Sequence, residues 1–72
     1  MHLSFQITKP ATIQICADDE GLTMLIDVLN KLKGTADHVH LVTHPAPGRQ
    51  LNDKTPFGEE AVSEVIITTG GD

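Results

Sequence analysis

Alternating apolar and polar positions predict four short β-strands along the chain. Leu3, Phe5 and Ile7 alternate with polar residues, and the stretch TIQICA repeats this period of two after Pro10. A period of two is typical of a strand with one buried and one exposed face. The short link between these stretches predicts an antiparallel hairpin. HVHLVTH predicts a third strand, and residues 62–69 a fourth that is apolar on both sides.

The stretch DDEGLTMLIDVLNKLKG predicts an amphipathic helix between the second and third strands. Its main apolar stripe, at helical spacing, consists of Leu22, Leu25, Ile26, Leu29 and Leu32. Met24 and Val28 are expected on a flank outside this stripe. Asp18 or Asp19 is suited to cap the first turn. Gly34 is suited to end the helix in the left-handed conformation.

These elements predict a single small α+β domain over residues 1–72, with 69–72 as a flexible tail. Its order is ββαββ, and its architecture is a two-layer sandwich in which one helix covers one face of a mostly antiparallel four-stranded sheet. The other face is expected to be open to contacts. Its residues would include Ser4, Gln6, Thr12, Gln14, Cys16, His38, His40 and Val42. Leu51 and Phe57 are expected to pin the long connection after the third strand to the body.

The charge balance narrows the classes of partner. Ten acidic and five basic residues give a net charge of −5, and the basic residues form no cluster of the kind that phosphate binding requires. The charge balance therefore argues against nucleic acid as a partner, and an acidic surface suits either solubility or docking onto a basic protein. The lone Cys16, the lack of a signal-peptide pattern and the lack of an apolar run of about 18 residues predict a soluble cytoplasmic protein with no membrane contact.

Three histidines at even spacing, His38, His40 and His44, raise the question of a metal site. Residues two apart on a strand point to the same side, so His38 and His40 can share an ion. Zinc normally takes three or four protein ligands, and the rest of the set is not apparent in the sequence. A polar strand face is the preferred interpretation, and a metal site of His38, His40 and His44 stays open as the alternative.

Catalytic arrangements are not apparent, and the chain is predicted to be neither an enzyme nor a cofactor protein. Asp37 precedes His38 directly, and neighbouring strand residues face opposite sides, so this acid is not expected to orient that imidazole. Cys16 would serve as a nucleophile only if its strand lay beside the histidine strand. The chain contains no nucleophile elbow, phosphate loop or HExxH segment.

The stretches EGLTMLIDVLNKLKG, DHVHLVTHPAPGRQL and VSEVIITT resemble the small immunity proteins of bacterial polymorphic toxin systems, specifically the immunity protein 32 family. The resemblance spans roughly residues 12–69. It implies a non-catalytic activity: binding and neutralising a cognate toxin in the cytoplasm of the cell that produces it. The positions that carry it are Gly21, Leu22, His38, His40 and Leu41.

The partner surface is expected on the histidine-bearing strand face and on the loop from residue 45 to residue 60. Acidic residues of that loop would provide an anionic rim for a basic toxin. The candidate contact residues are His38, His40, Gln14, Arg49, Asp53, Glu59 and Glu60. Two alternatives from other classes stay open: a small metal-binding domain that uses His38 and His40, and a structural homodimer.

Overall fold

The chain folds into two antiparallel strand pairs and one helix, and a computed structural model describes residues 1–44 and 50–70 of it. The elements in chain order are β1 Leu3–Thr8, β2 Thr12–Ala17, α1 Asp19–Leu32, β3 His38–Val42 and β4 Glu64–Thr68. The α+β class and the ββαββ order are therefore confirmed. In the described ranges, no helix has the length and apolarity needed to cross a bilayer.

The four strands are divided between two sheets instead of forming one ladder. β1 pairs with β2, with Phe5 opposite Ile15, and β3 pairs with β4. The other edge of β1 is bonded to irregular backbone: Asn52 N–H donates to the Leu3 carbonyl at 2.7 Å, and Val62 N–H to the Phe5 carbonyl at 2.8 Å. Because these segments satisfy the edge groups of β1, no strand of the second sheet joins it there.

Helix α1 begins and ends as the sequence predicts. The carboxylate of Asp18 accepts a hydrogen bond from Gly21 N–H at 2.8 Å, which satisfies one of the unpaired donors of the first turn. At the other end, Lys33 N–H donates to the Leu29 carbonyl at 3.2 Å. Gly34 then takes a φ of +81°, a left-handed conformation that glycine adopts without steric cost.

The buried side of α1 is rotated from the predicted apolar stripe. Gly21 and Leu32 are buried, and Met24, Leu25 and Val28 pack against the core. The remaining stripe residues are largely exposed, at 46% for Leu22, 56% for Ile26 and 42% for Leu29. Gly21 sets the rotation, because its Cα lies so close to the His2 carbonyl that a side chain there would clash with it.

The core is mainly aliphatic, with one aromatic residue, and is completed by the connection after β3. Leu3, Phe5, Leu41 and Leu51 form its buried centre, which confirms that Leu51 pins the connection. Phe57 does not do so, since its side chain points into solvent. Ser4 was expected on an open face, and that expectation is wrong: Ser4 is buried, and its hydroxyl is 2.9 Å from Nε2 of His2.

The C-terminal stretch is tied to the start of β3 at Thr69. Thr69 N–H donates to the Asp37 carbonyl at 2.8 Å, and the Thr69 hydroxyl donates to the Thr35 carbonyl at 2.6 Å. Of the tail predicted at 69–72, Thr69 and Gly70 are therefore part of the described fold, and residues 71–72 lie outside the described residues.

Candidate protein-binding surfaces

His38 and His40 project from the same side of β3 into solvent, as the period of two predicts. Their ring centroids are 5.0 Å apart and the rings meet edge to face at 69°. Ile66 of β4 lies directly opposite His40 in the strand register and is also exposed. We call His38, His40, Glu64 and Ile66 the histidine face: a small apolar centre with polar neighbours.

Each imidazole of the histidine face has a carboxylate nearby. His40 Nδ1 lies 2.8 Å from Oε2 of Glu64 on the neighbouring strand. His38 Nδ1 lies 3.6 Å from Oδ1 of Asp37. Asp37 was not expected to orient this ring, and its carboxylate makes its hydrogen bond to the backbone instead: Asp37 precedes the strand, and Oδ1 accepts from His38 N–H at 2.7 Å. Glu64 therefore orients the His40 ring, whereas the His38 ring has a carboxylate nearby without a hydrogen bond to it, and both exposed pairs add little to stability.

The structure does not bring His38, His40 and His44 together as the alternative metal site would require. His44 follows the end of β3, and residues 1–44 and 50–70 hold no group of three or more His, Cys, Asp or Glu side chains placed to bind one ion. Cys16 lies in β2, which belongs to the other sheet from His38 and His40. A thiol–imidazole pair is therefore not formed from these residues.

A second surface is the turn at residues 53–60, which we call the acidic turn. Gly58 N–H donates to the Thr55 carbonyl at 2.9 Å, and Thr55 N–H donates to the Glu59 carbonyl at 2.7 Å. The buried Thr55 hydroxyl accepts from the N–H groups of Phe57 at 3.3 Å and of Glu59 at 3.2 Å. Four hydrogen bonds thus hold a turn of only a few residues in one shape.

Phe57 stands at the tip of the acidic turn with 82% of its surface exposed. The sequence contains the signal for this turn in Pro56 and Gly58, residue types that favour tight turns. Gly58 has a φ of +82°, a conformation that glycine tolerates best. The exposed aromatic side chain was missed because an isolated phenylalanine in a loop is usually expected to be buried.

The same turn carries negative charge. Asp53, Glu59 and Glu60 are all exposed. Lys54 forms an ion pair with Glu60, and the hydrogen bond to that carboxylate raises the pKa of Lys54 above its usual value. One lysine against three acids leaves the acidic turn with a net negative charge. The acidic turn therefore presents one exposed aromatic side chain together with negatively charged residues.

The remaining candidate residues lie in different parts of the structure. Gln14 is exposed on β2, in the other sheet from the histidine face. Arg49 lies outside the described residues. Of the positions that carry the family resemblance, Gly21 is buried against the His2 carbonyl and Leu41 lies in the core, whereas Leu22 is largely exposed. Gly21 and Leu41 therefore have structural reasons for their identity.

Comparison with known proteins gives no identification. Nothing matches the chain among protein-family models, curated proteins or solved structures. The class that the structure defines is a small α+β domain with two exposed surfaces, the histidine face and the acidic turn.

Proposed function

We propose that this chain is a non-catalytic protein-binding domain that neutralises a cognate bacterial toxin in the cytoplasm, with the acidic turn as its main contact. The observation that carries the proposal is Phe57, which is 82% exposed on a turn held by four hydrogen bonds. The resemblance of the sequence to immunity proteins supports the biological role, and the acidic turn supports the mode of binding.

An exposed phenylalanine on a fixed turn is well suited to anchor a protein interface. Full burial of such a side chain contributes roughly 1.5–3 kcal/mol. A turn that already has its bound shape loses little conformational freedom on binding, so more of this free energy is retained as affinity. Interfaces commonly depend on a few anchors of this kind that enter a pocket of the partner.

The charges favour a basic partner. The chain carries a net charge of −5, and the exposed residues Asp53, Glu59 and Glu60 belong to the same turn as Phe57. Such charges accelerate encounter with a positively charged surface and disfavour acidic competitors. The histidine face provides a second proposed contact, in which Ile66 is the apolar centre and His38 and His40 are polar neighbours.

The proposal is tested by co-expression with the candidate toxin encoded immediately upstream of the gene. Growth of cells that express the toxin is expected to be restored by the wild-type chain and not by Phe57→Ala. Binding is measured by calorimetry with a catalytically inactive form of the same toxin. Phe57→Ala is expected to weaken binding by about tenfold or more, which corresponds to about 1.4 kcal/mol.

Two controls test the contribution of the Phe57 side chain and that of the acidic residues separately. Pro56→Ala alters the same turn but keeps the anchor, so it is expected to bind within a few-fold of wild type. Raising the salt concentration should weaken binding if the acidic rim contributes. Failure of the wild-type chain to restore growth would overturn the immunity role. Wild-type affinity in Phe57→Ala would overturn the acidic turn as the contact.

A further inference from the structure

The outer edge of β2 presents backbone groups that no strand in the described part of the chain pairs with. The Phe5 carbonyl points away from β2, because it accepts from Val62 N–H. Phe5 and Ile15 face each other in the antiparallel register, so they form a non-hydrogen-bonded pair. The N–H and C=O groups of Ile15 therefore point away from β1, and by alternation those of Ile13 do so as well. Among residues 1–44 and 50–70, β2 has no strand partner other than β1.

This edge lacks the features with which monomeric proteins protect edge strands. Such edges usually carry charged side chains, a proline or a bulge. The strand TIQICA has none of these residues, and its pairing with β1 is continuous in register. Ile13 is 69% exposed and Ile15 49% exposed, and both line an apolar groove of about 400 Å³ together with Phe5 and Val65.

Helix α1 also carries exposed apolar residues. Val28 and Leu32 line a cleft against Val39 of β3. With 3.6 residues per turn, the exposed residues Leu22, Ile26 and Leu29 lie roughly 110° around the helix from these two. The β3–β4 sheet adjoins the β1 side of the first hairpin, because Leu51, next to the residue bonded to β1, donates to the Val42 carbonyl at 3.0 Å. Among the described residues, the second sheet therefore leaves the β2 edge without a strand partner.

We propose that two copies of this chain pair antiparallel along β2 and form a symmetric dimer. The pairing makes a continuous four-stranded sheet in the order β1–β2–β2–β1. Adjacent strands of this sheet lie about 4.8 Å apart, so the exposed side chains of Ile13 and Ile15 from the two copies lie next to each other across the two-fold axis.

Charge at the two ends of β2 favours a second copy of the same chain as the occupant. Lys9 precedes β2, and Asp18, Asp19 and Glu20 follow it, whereas the strand between them is uncharged. An antiparallel arrangement brings the lysine end of one copy to the acidic end of the other at both ends of the interface. A parallel arrangement would bring like charges together, which is unfavourable.

The oligomeric state of the full chain tests the proposal. Sedimentation velocity over roughly a hundredfold range of concentration is expected to show a monomer–dimer equilibrium, because association follows mass action. Ile15→Lys is expected to weaken dimerisation at least tenfold. Ile66→Lys is the matched control, since Ile66 is similarly exposed on a strand of the other sheet, and this variant should dimerise as the wild type does. Circular dichroism checks that both variants are folded.

A charge exchange tests the direction of pairing. Lys9→Glu should weaken the dimer several-fold, and adding Asp19→Lys to it should restore the affinity. A wild-type chain that stays monomeric at every concentration would overturn the proposal. So would a dimer that is unchanged in Ile15→Lys, or one lost in Ile66→Lys, which would place the contact on the histidine face. None of these readouts depends on a toxin, so this proposal and the proposed function can fail separately.

Discussion

Replacing Gly21 with alanine tests the close packing of α1 against the start of β1. A methyl group built on Gly21 would lie 1.9 Å from the His2 carbonyl oxygen and 2.9 Å from its carbon. The same oxygen accepts a hydrogen bond from Asp18 N–H at 3.1 Å. The position of the methyl group is fixed by the helix backbone, and the atoms it would meet belong to the backbone carbonyl of His2. A side-chain rotation therefore cannot relieve the clash. The helix and the strand would have to separate by more than 1 Å, as contact at about 3.5 Å requires.

Two opposing effects decide the sign of the change in stability. Alanine favours the helix over glycine by about 1 kcal/mol. Overpacking a tight contact costs about 1–3 kcal/mol, and the severity of this overlap places the cost at the upper end. The net expectation is a loss of about 2 kcal/mol in the free energy of unfolding. For a domain of this size, that loss lowers Tm by roughly 8–16 °C.

Thermal and urea unfolding followed by circular dichroism measure this loss. Asn30→Ala is the matched control, because Asn30 is an exposed residue of the same helix. This control should gain up to about 0.5 kcal/mol from helix propensity alone. If Gly21→Ala raised Tm as Asn30→Ala does, the close approach of helix and strand would be refuted.

Three further predictions concern the fold. Hydrogen bonding from the backbone at His2, and then at Gly21, lowers the pKa of Asp18 below its model-compound value of 3.8. The charged carboxylate therefore stabilises the fold above pH 3.8, and this effect is lost as the pH falls through the folded pKa. The variant Asp18→Asn should have a lower Tm than the wild type near neutral pH, and its Tm should approach the wild-type value in strong acid. Ala11 has a φ of +99°, so Ala11→Gly should raise the urea midpoint by relieving about 1 kcal/mol of strain. Leu51→Ala should cost about 2–5 kcal/mol by leaving a cavity in the core, and an equal effect of Ile66→Ala would contradict the assignment of Leu51 to the core.

The sequence predicted the elements well because their signals are local. The period of two in β1 and β2 and the caps of α1 involve residues within a few positions of each other. The rotation of α1 was not predictable in this way, since apolar residues cover a wider arc of the helix than one face can bury. The contact of Gly21 with the His2 carbonyl chooses the buried half, and the hydrophobic pattern does not contain that contact.

The division into two sheets has a similar origin. Val62 and Asn52 bond to β1 across distant parts of the chain. Val62 was predicted as the first residue of the fourth strand, but β4 begins at Glu64, and Asn52 belongs to no strand pattern, so their bonds to β1 were not predictable. This division places Gln14 in a different sheet from His38 and His40. The spacing of His38 and His40 made it predictable that both lie on the same side of β3. The exposure of Phe57 was not predictable, because it depends on the shape of the turn that the Thr55 hydrogen bonds hold.

The way in which Thr55 holds its turn bears on how this protein can diversify. Its hydroxyl and backbone, together with Gly58, define the shape of the turn, whereas the Phe57 side chain makes no contribution to that shape. Substitutions at the tip can therefore accumulate without loss of the scaffold. Under the proposed function, the residue that contacts the partner can therefore change while the architecture that presents it stays constant.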